Sequence, residues 1–263
     1  MIYDPLVLTV AALFGAIVGS FLNVVILRLP EPGASIVFPA SHCPRCRHPL
    51  SWYENIPLLS YLFLRGRCSH CEARISFQYP LVELLMAMIS SAVFFRFGLS
   101  LTAIGLFLFS AALLVIIIID FYHQIIPDVI SLPGILLGFA FSFINSITSW
   151  QDSLIGLLAG GGILYAIALL YYVLRKQDGM GGGDIKLLAM IGAFLGWQSL
   201  PFIIFASSIS GSIIGILTIA IQKKDRATRI PFGPFLSVSA LLYMFFLNDI
   251  QTIYRLYLAG NLF

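Results

Sequence analysis

Charged residues are scarce in this chain of 263 residues: aspartate, glutamate, lysine and arginine together make up 10% of it, against 59% hydrophobic residues. This shortage of charge, with a mean hydropathy of +0.97, excludes an ordinary soluble domain. The formal net charge of +3 is small, and the basic residues form no continuous stripe, so nothing indicates nucleic-acid binding. The composition therefore predicts a polytopic, all-α membrane protein.

Apolar runs indicate how often the chain crosses the bilayer, because a spanning helix needs about 20 largely apolar residues. Only the short sequence GWQSLP divides the sixth run from the seventh, so about eight spans are predicted and seven are the alternative. Asp4 precedes the first run where a signal peptide would be basic, which favours an uncleaved anchor with its N-terminus outside. The predicted spans are residues 5–28, 80–98, 100–119, 126–147, 152–174, 185–197, 199–222 and 231–258.

The distribution of lysine and arginine predicts the orientation of these spans. Placing the loop of residues 29–79 in the cytoplasm puts 13 of the 15 basic residues on that side and leaves Arg96 and Arg255 outside. Cytoplasmic loops of membrane proteins carry such an excess of basic residues. The eight-span topology is therefore consistent with a feature that was not used to derive it.

The chain has only four cysteines, and all lie in the loop 29–79, as CPRC (Cys43 and Cys46) and CSHC (Cys68 and Cys71). Two residues separate the members of each pair and 21 separate the pairs, close to the spacing of four-cysteine zinc sites. Disulfides are the alternative, but the predicted cytoplasmic location is reducing and favours a metal. The nearby His42, His48 and His70 are alternative ligands, although solvated histidines or histidines that bond to the ligands are expected instead. Four thiolates leave no open position on zinc, so a structural ion that stabilises a small loop is expected.

Two aspartates carry the candidate chemistry. Asp120 ends the apolar run LLVIIIID, and Asp184 lies in GMGGGDIKL, between the fifth and sixth predicted spans. The third and fifth spans both run inward, so these carboxylates fall at the same cytoplasmic depth. Two carboxylates that share a proton can act as base and acid toward water. The alternative is that each aspartate merely caps or flanks a helix end.

The glycines beside Asp184 add to this hypothesis. Residues 181–183 are three consecutive glycines, whose backbone tolerates unusual angles and can be approached closely by an extended peptide. Simple linker flexibility is the alternative. Of the other polar residues near the spans, Asp128 is expected to position a helix start or to contribute a hydrogen bond near Asp120. Lys186 is expected to extend toward the membrane boundary, and stabilisation of nearby negative charge is the alternative. For Glu83 the hypothesis is a contact in methyl transfer or in helix packing, and Asn23 has no assigned role.

Taken together, these segments resemble one family in order and in sequence. The resemblance covers most of the chain and identifies it as similar to the bacterial type IV prepilin peptidases, or prepilin leader peptidase/N-methyltransferases, of the GxGD class of intramembrane aspartic proteases. The matching segments are GSFLNVVILRLP (19–30), CPRCRHPLSWYENIPLLSYLFLRGRCSHC (43–71), YPLVELL (79–85), DFYHQIIPD (120–128) and GMGGGDIKLLAMIGAFLGW (179–197).

The resemblance implies that Asp120 and Asp184 are catalytic. It further implies that they cleave the leader of prepilins and pseudopilins after a glycine, at the cytoplasmic face of the bacterial inner membrane. Bifunctional members then methylate the new N-terminal amine with S-adenosylmethionine, and the four-cysteine loop is associated with that activity. This organisation divides the chain into a first transmembrane helix (1–28), the zinc loop (29–79) and a peptidase core (80–263).

Several alternatives remain open at this stage. The chain lacks the glycine-rich turn of soluble nucleotide-binding enzymes, so the S-adenosylmethionine site is unknown, and SWYENIPLLSY (51–61) is the segment to search. A peptidase that no longer methylates is one alternative. An ion-coupled transporter or assembly scaffold with a zinc docking loop is another, although transporters place their sites near the bilayer midplane.

Overall fold

A computed structural model describes residues 5–177, 181–222, 231–250 and 252. Within these ranges the chain is helical and has no β-strand. Asp4, Gly179, Met180, the basic residues between 223 and 229, and Arg255 lie outside them. The helices are α1 (Pro5–Arg28), α2 (Leu59–Phe63), α3 (Gln78–Phe97), α4 (Leu101–His123), α5 (Asp128–Phe141), α6 (Trp150–Arg175), α7 (Gly182–Leu195), α8 (Leu200–Gln222) and α9 (Gly233–Phe245), with 3₁₀ turns at Trp52–Asn55 and Trp197–Ser199.

Five of the described helices are long and apolar enough to cross a membrane, which confirms the predicted class of helical membrane protein. These five correspond to the predicted spans 5–28, 80–98, 100–119, 152–174 and 199–222. The other three predicted spans contain the shorter helices α5, α7 and α9, so the count of eight crossings stays a prediction.

Local turns explain where two predicted spans differ from the helices. Helix α5 ends before the predicted residue 147 because the Asn145 side chain accepts hydrogen bonds from the backbone N–H groups of Ile147 and Thr148, both at 2.8 Å. Such a side-chain turn competes with helix continuation. Helices α7 and α8 are separate, because Gly196 adopts a φ of +78° and a 3₁₀ turn follows it.

The chain divides into two compact units, Met1–Val115 and Ile116–Phe263. In the first unit, α1 packs against α3 through two glycines one helical turn apart. A Cβ atom on Gly15 would lie 2.5 Å from the Met86 carbonyl oxygen, and one on Gly19 would lie 2.8 Å from the Glu83 Cα. Small residues at this spacing let membrane helices approach each other closely.

In the second unit, α7 is the central helix and packs against α5, α6 and α9. Its residues Leu187, Leu188, Met190 and Ile191 are fully buried. Glycines bring the α6 and α7 backbones into contact at Gly156 and Gly192. The helix that carries Asp184 is therefore held by several neighbours, which favours a fixed position for its first turn.

Candidate functional site

Asp120 lies in the last turn of α4, and its side chain is buried, with 5% of the residue exposed. Its Oδ2 atom accepts a hydrogen bond of 3.0 Å from the backbone N–H of Gly233, the first residue of α9. A Cβ atom on Gly233 would lie 2.6 Å from that same oxygen. The carboxylate is therefore held by a backbone donor at a position where any larger residue would displace it.

Asp184 lies in the first turn of α7 and is partly buried. Gly182 and Gly183, which the sequence analysis placed in a loop, form this first turn together with it, and Gly181 is the N-cap residue. The Asp184 Oδ2 atom lies 3.8 Å from the position that a Gly181 Cβ would occupy, so the carboxylate points back toward the helix start. A helix N-terminus favours negative charge, because its first N–H groups have no partner within the helix.

The structure brings the two carboxylates close enough to interact electrostatically. Ile126 lies beside the first turn of α7, which carries Asp184, and beside Gly233, whose N–H binds Asp120. Its Cβ is 2.9 Å from the position that a Gly183 Cβ would take, and its Cδ1 is 3.1 Å from the corresponding position at Gly233. Asp120 and Asp184, which come from separate helices, therefore lie in one region of the second unit together with Ile126 and Gly233.

Gly233 is a residue that the sequence analysis missed. The only local signal is the sequence FGP, since a proline in the first turn is typical of a helix start. Nothing in the sequence relates that helix start to Asp120, because the contact depends on how α9 packs.

Gly233→Ala is expected to lower activity at this site by about 100-fold, since a shift of about 1 Å in a reacting group has an effect of this size. Single-turnover rates of the purified variant would measure it. Gly211→Ala is the matched control, because a Cβ there would meet its nearest neighbour, Phe235, at an ordinary 3.5 Å. Equal rates for the two variants would contradict a positioning role for Gly233.

Asp128 and Lys186 form an ion pair that ties the start of α5 to α7. The Lys186 Nζ atom lies 2.7 Å from Oδ1 and 2.8 Å from Oδ2 of Asp128. The side chains are 37% and 56% exposed, so solvent weakens the pair to an expected ~0.2–1 kcal/mol. Asp128 therefore has a partner other than Asp120, and Lys186 is paired instead of extending alone toward the membrane boundary.

Asp128→Asn and Lys186→Met are each expected to lower activity by less than about tenfold, because a half-exposed pair contributes little. The double variant should be no slower than the slower single variant, since both changes remove one interaction. A loss in Asp128→Asn as large as that in Asp120→Asn would place Asp128 among the reacting groups instead.

The four cysteines of the first unit form one cluster. Their sulfur atoms all lie within 4.8 Å of one another, with 3.8 Å between Cys43 and Cys71 and 4.0 Å between Cys46 and Cys68. Zinc–sulfur bonds of about 2.3 Å in a tetrahedron require sulfur atoms about 3.8 Å apart. The backbone N–H of Cys46 also lowers the pKa of the Cys43 thiol to about 6, which favours its thiolate, whereas burial and the neighbouring thiols raise the pKa of Cys46. The donor set and its dimensions fit zinc.

The two cysteine pairs adopt the same turn. The backbone N–H of Cys43 donates to the His48 carbonyl at 2.9 Å, and that of Cys68 donates to the Ala73 carbonyl at 2.9 Å. Arg47 and Glu72, which follow the second cysteine of each turn, have φ angles of +58° and +56°. Two equivalent turns facing each other present four sulfurs to one point.

The loop histidines are not part of this cluster. The rings of His48 and His70 stack on each other at a centroid distance of 4.7 Å, and the described metal-binding cluster consists of cysteines alone.

Buried acidic residues connect the cysteine loop to the helices of its own unit. Glu54 accepts a hydrogen bond of 2.7 Å from the Ser51 N–H. The hydroxyl of Ser69, which lies between Cys68 and Cys71, together with that N–H, lowers the pKa of Glu54. Glu83 of α3 accepts a hydrogen bond of 2.7 Å from the Leu58 N–H, at a residue whose φ is +62°.

Asn23 has a similar anchoring role in α1, since its side-chain amide donates to the Tyr79 carbonyl at 3.1 Å. Glu83 therefore ties the middle of the loop to α3, and Asn23, which had no assigned role from the sequence, ties α1 to the start of α3.

The fold and these side chains define a helical membrane protein with two neighbouring aspartates at helix ends and a four-cysteine metal-binding loop. Comparison with known proteins gives the family. Residues 13–97 match the bacterial Peptidase A24 N-terminal domain, and residues 107–216 match the Type IV leader peptidase family. No solved structure matches the chain significantly.

Curated relatives match over nearly the full length of the chain. A protein of Stutzerimonas stutzeri is 39% identical over 95% of this chain and 95% of its own length. Proteins of Pseudomonas aeruginosa and Neisseria gonorrhoeae are 39% and 35% identical, over 92% and 94% of this chain and 91% and 93% of their own lengths. All three are named prepilin leader peptidase/N-methyltransferase. The chain belongs to the type IV leader peptidase family, and it is an enzyme.

Proposed function

We propose that this protein cleaves the N-terminal leader of type IV prepilins and pseudopilins after a glycine, and then methylates the new N-terminal amine. The observation that carries the proposal is the proximity of Asp120 and Asp184, which come from helices far apart in the sequence. Relatives 35–39% identical over almost the whole chain support both activities.

In the proposed cleavage, Asp120 and Asp184 share one proton. The ionised carboxylate takes a proton from a water molecule as its oxygen attacks the carbonyl carbon of the scissile bond, and the other carboxyl group protonates the carbonyl oxygen. The tetrahedral intermediate then collapses, the C–N bond breaks, and a proton passes to the leaving amine. Water is the nucleophile, so no covalent intermediate between enzyme and substrate is expected.

The start of α7 supports an approach path for the substrate backbone. Among the described residues, no atom lies within 4 Å of the position that a Cβ on Gly182 would occupy, and Asp184 is two residues away. Glycines there leave room for an extended chain beside the carboxylate.

We further propose that Cys43, Cys46, Cys68 and Cys71 bind one zinc ion. Bound zinc would supply folding free energy to a loop too small to build its own core. Four thiolates complete its coordination sphere, so the ion has no part in cleavage. Residues 29–79 thus act as a methyltransferase-associated loop, and residues 80–263 include the peptidase.

The methylation step uses S-adenosylmethionine, which supplies an electrophilic methyl group when bound. The distribution of basic residues supports placing the protein in the bacterial inner membrane, with the N-terminus outside and the aspartates facing the cytoplasm. In this orientation the apolar helix of the substrate lies in the lipid bilayer, and the leader of the substrate lies in the cytoplasm.

Mass spectrometry of a co-expressed prepilin tests these activities separately. The expected product starts at the residue after the glycine and is heavier by one methyl group. A cleaved but unmethylated N-terminus would show that the protein is a peptidase without methyltransferase activity. An intact leader would remove both activities and favour a transporter or assembly scaffold. A prepilin with valine in place of that glycine is the control and should stay uncleaved.

A further inference from the structure

A cavity of about 470 Å³ opens between α1 and two segments of the cysteine loop. Its walls are the C-terminal half of α1 from Ile17 to Arg28, the loop segment 36–41 without Phe38, and Asn55 with Pro57. This volume lies within the range of about 300–1,000 Å³ that is usual for small-molecule sites. The cavity lies entirely within the first unit, whereas Asp120 and Asp184 belong to the second.

Arg28 gives the cavity a positive charge. Its Nη1 atom donates to the Ser35 carbonyl at 3.0 Å and its Nη2 atom to the Pro39 carbonyl at 2.7 Å. Both acceptors are neutral, and no carboxylate in the described part of the chain forms an ion pair with Arg28. A guanidinium held in this way keeps further N–H groups and its full charge, which suits it to bind a carboxylate.

The rest of the lining suits a ligand that is partly apolar and partly polar. Phe21 and Val24 offer apolar surface, and the side chains of Ser20, Ser41 and Asn55 offer hydrogen-bonding groups.

The cysteine turns hold the loop walls of this cavity. The Ser41 carbonyl, two residues before Cys43, accepts a hydrogen bond of 2.9 Å from the Leu50 N–H across the first turn. Asn55 follows Glu54, whose carboxylate bonds Ser69 in the second turn. Any loss of the cysteine cluster would therefore disturb two walls at once.

We propose that this cavity binds S-adenosylmethionine and that Arg28 binds its carboxylate. This inference rests on the proposed methylation, and it locates the cofactor-binding site for that activity. The ligand combines a carboxylate with an adenosyl group, and these match the arginine and the mixed lining. The assignment also explains in physical terms why a metal-stabilised loop would serve methylation, since the loop forms half of the site.

The test compares two ligands on two proteins. Dissociation constants of S-adenosylmethionine and of its decarboxylated analogue are measured for the purified full-length wild type and for Arg28→Met. The wild type should bind the analogue ~10- to 100-fold more weakly, since a hydrogen-bonded charge pair is lost. In Arg28→Met the ratio of the two dissociation constants should fall to about 1. Arg74→Met, a change to an exposed loop arginine outside the cavity, should keep the wild-type ratio.

Three results would overturn the assignment. If Arg28→Met weakens both ligands equally, Arg28 acts through loop shape and does not bind the carboxylate. If ultraviolet cross-linking of labelled S-adenosylmethionine to the wild type maps only outside residues 17–57, the ligand binds elsewhere. If the wild type binds neither ligand, the proposed methylation itself fails. Zinc content of each variant shows whether its loop has folded.

Discussion

Asp120→Asn and Asp184→Asn are each expected to lower the rate of leader cleavage by about 1,000-fold, the range in which a positioned acid or base contributes. Asparagine has the shape of aspartate but cannot take a proton from water or pass one on. In Asp120→Asn the side-chain amide oxygen can still accept the hydrogen bond from Gly233, so the fold around α9 should survive. Single-turnover cleavage of a purified prepilin, followed by mass spectrometry, measures the loss.

Two comparisons make this result specific. The double variant should be about as slow as either single variant, because the two carboxyl groups act as one unit and their effects are not additive. Asp128 also lies at a helix boundary, but it pairs with Lys186. In Asp128→Asn the cleavage rate should therefore fall by less than about tenfold. Undiminished cleavage in both Asp120→Asn and Asp184→Asn would end the aspartic-protease proposal.

Replacing Cys43 and Cys46 together by serine is expected to reduce bound zinc from about one ion per chain to about none. Structural zinc contributes on the order of 10–16 kcal/mol of apparent binding free energy in small domains, and a loop this size has no other source of comparable stability. The loop should then become sensitive to trypsin, which cuts after arginine. Metal analysis and limited proteolysis measure the two effects.

The same cysteine variant should lose methylation more completely than cleavage. The Arg28 cavity has its walls on this loop, whereas Asp120 and Asp184 both belong to the second unit. The double change of His48 and His70 to alanine is the matched control, since these stacked rings lie in the loop but outside the cysteine cluster. Retained zinc in the cysteine variant, or lost zinc in the histidine variant, would contradict the assigned ligand set.

Patterns that are local in the sequence predicted much of the fold. Apolar length anticipated the five long helices, because a helix buried in lipid must satisfy its own backbone and needs a run of apolar side chains. The spacing of the cysteines anticipated a single cluster, because the same short turn is used twice. The span 126–147 was too long, since hydropathy does not register the turn that Asn145 makes.

Contacts between distant segments were not predictable in this way. Asp128 was expected to position a helix start or to contribute a hydrogen bond near Asp120; it does begin α5, but its side chain pairs with Lys186 of another helix. The three glycines before Asp184 were assigned to a loop, but two of them begin α7. Helix starts depend on which backbone groups find partners, and packing decides that here.

By itself, the sequence determined the membrane class, the cysteine cluster and the two aspartates worth testing, since each follows from residue type and short-range spacing. Only the tertiary structure decided that Asp120 is held by the N–H of Gly233, that Ile126 lies beside the helix starts at Gly183 and Gly233, and that Arg28 lines a cavity with the cysteine loop. These three arrangements arise from the close packing of helices and loops distant in the chain. Packing of that kind depends on the shape of whole surfaces, which no short pattern of residues encodes.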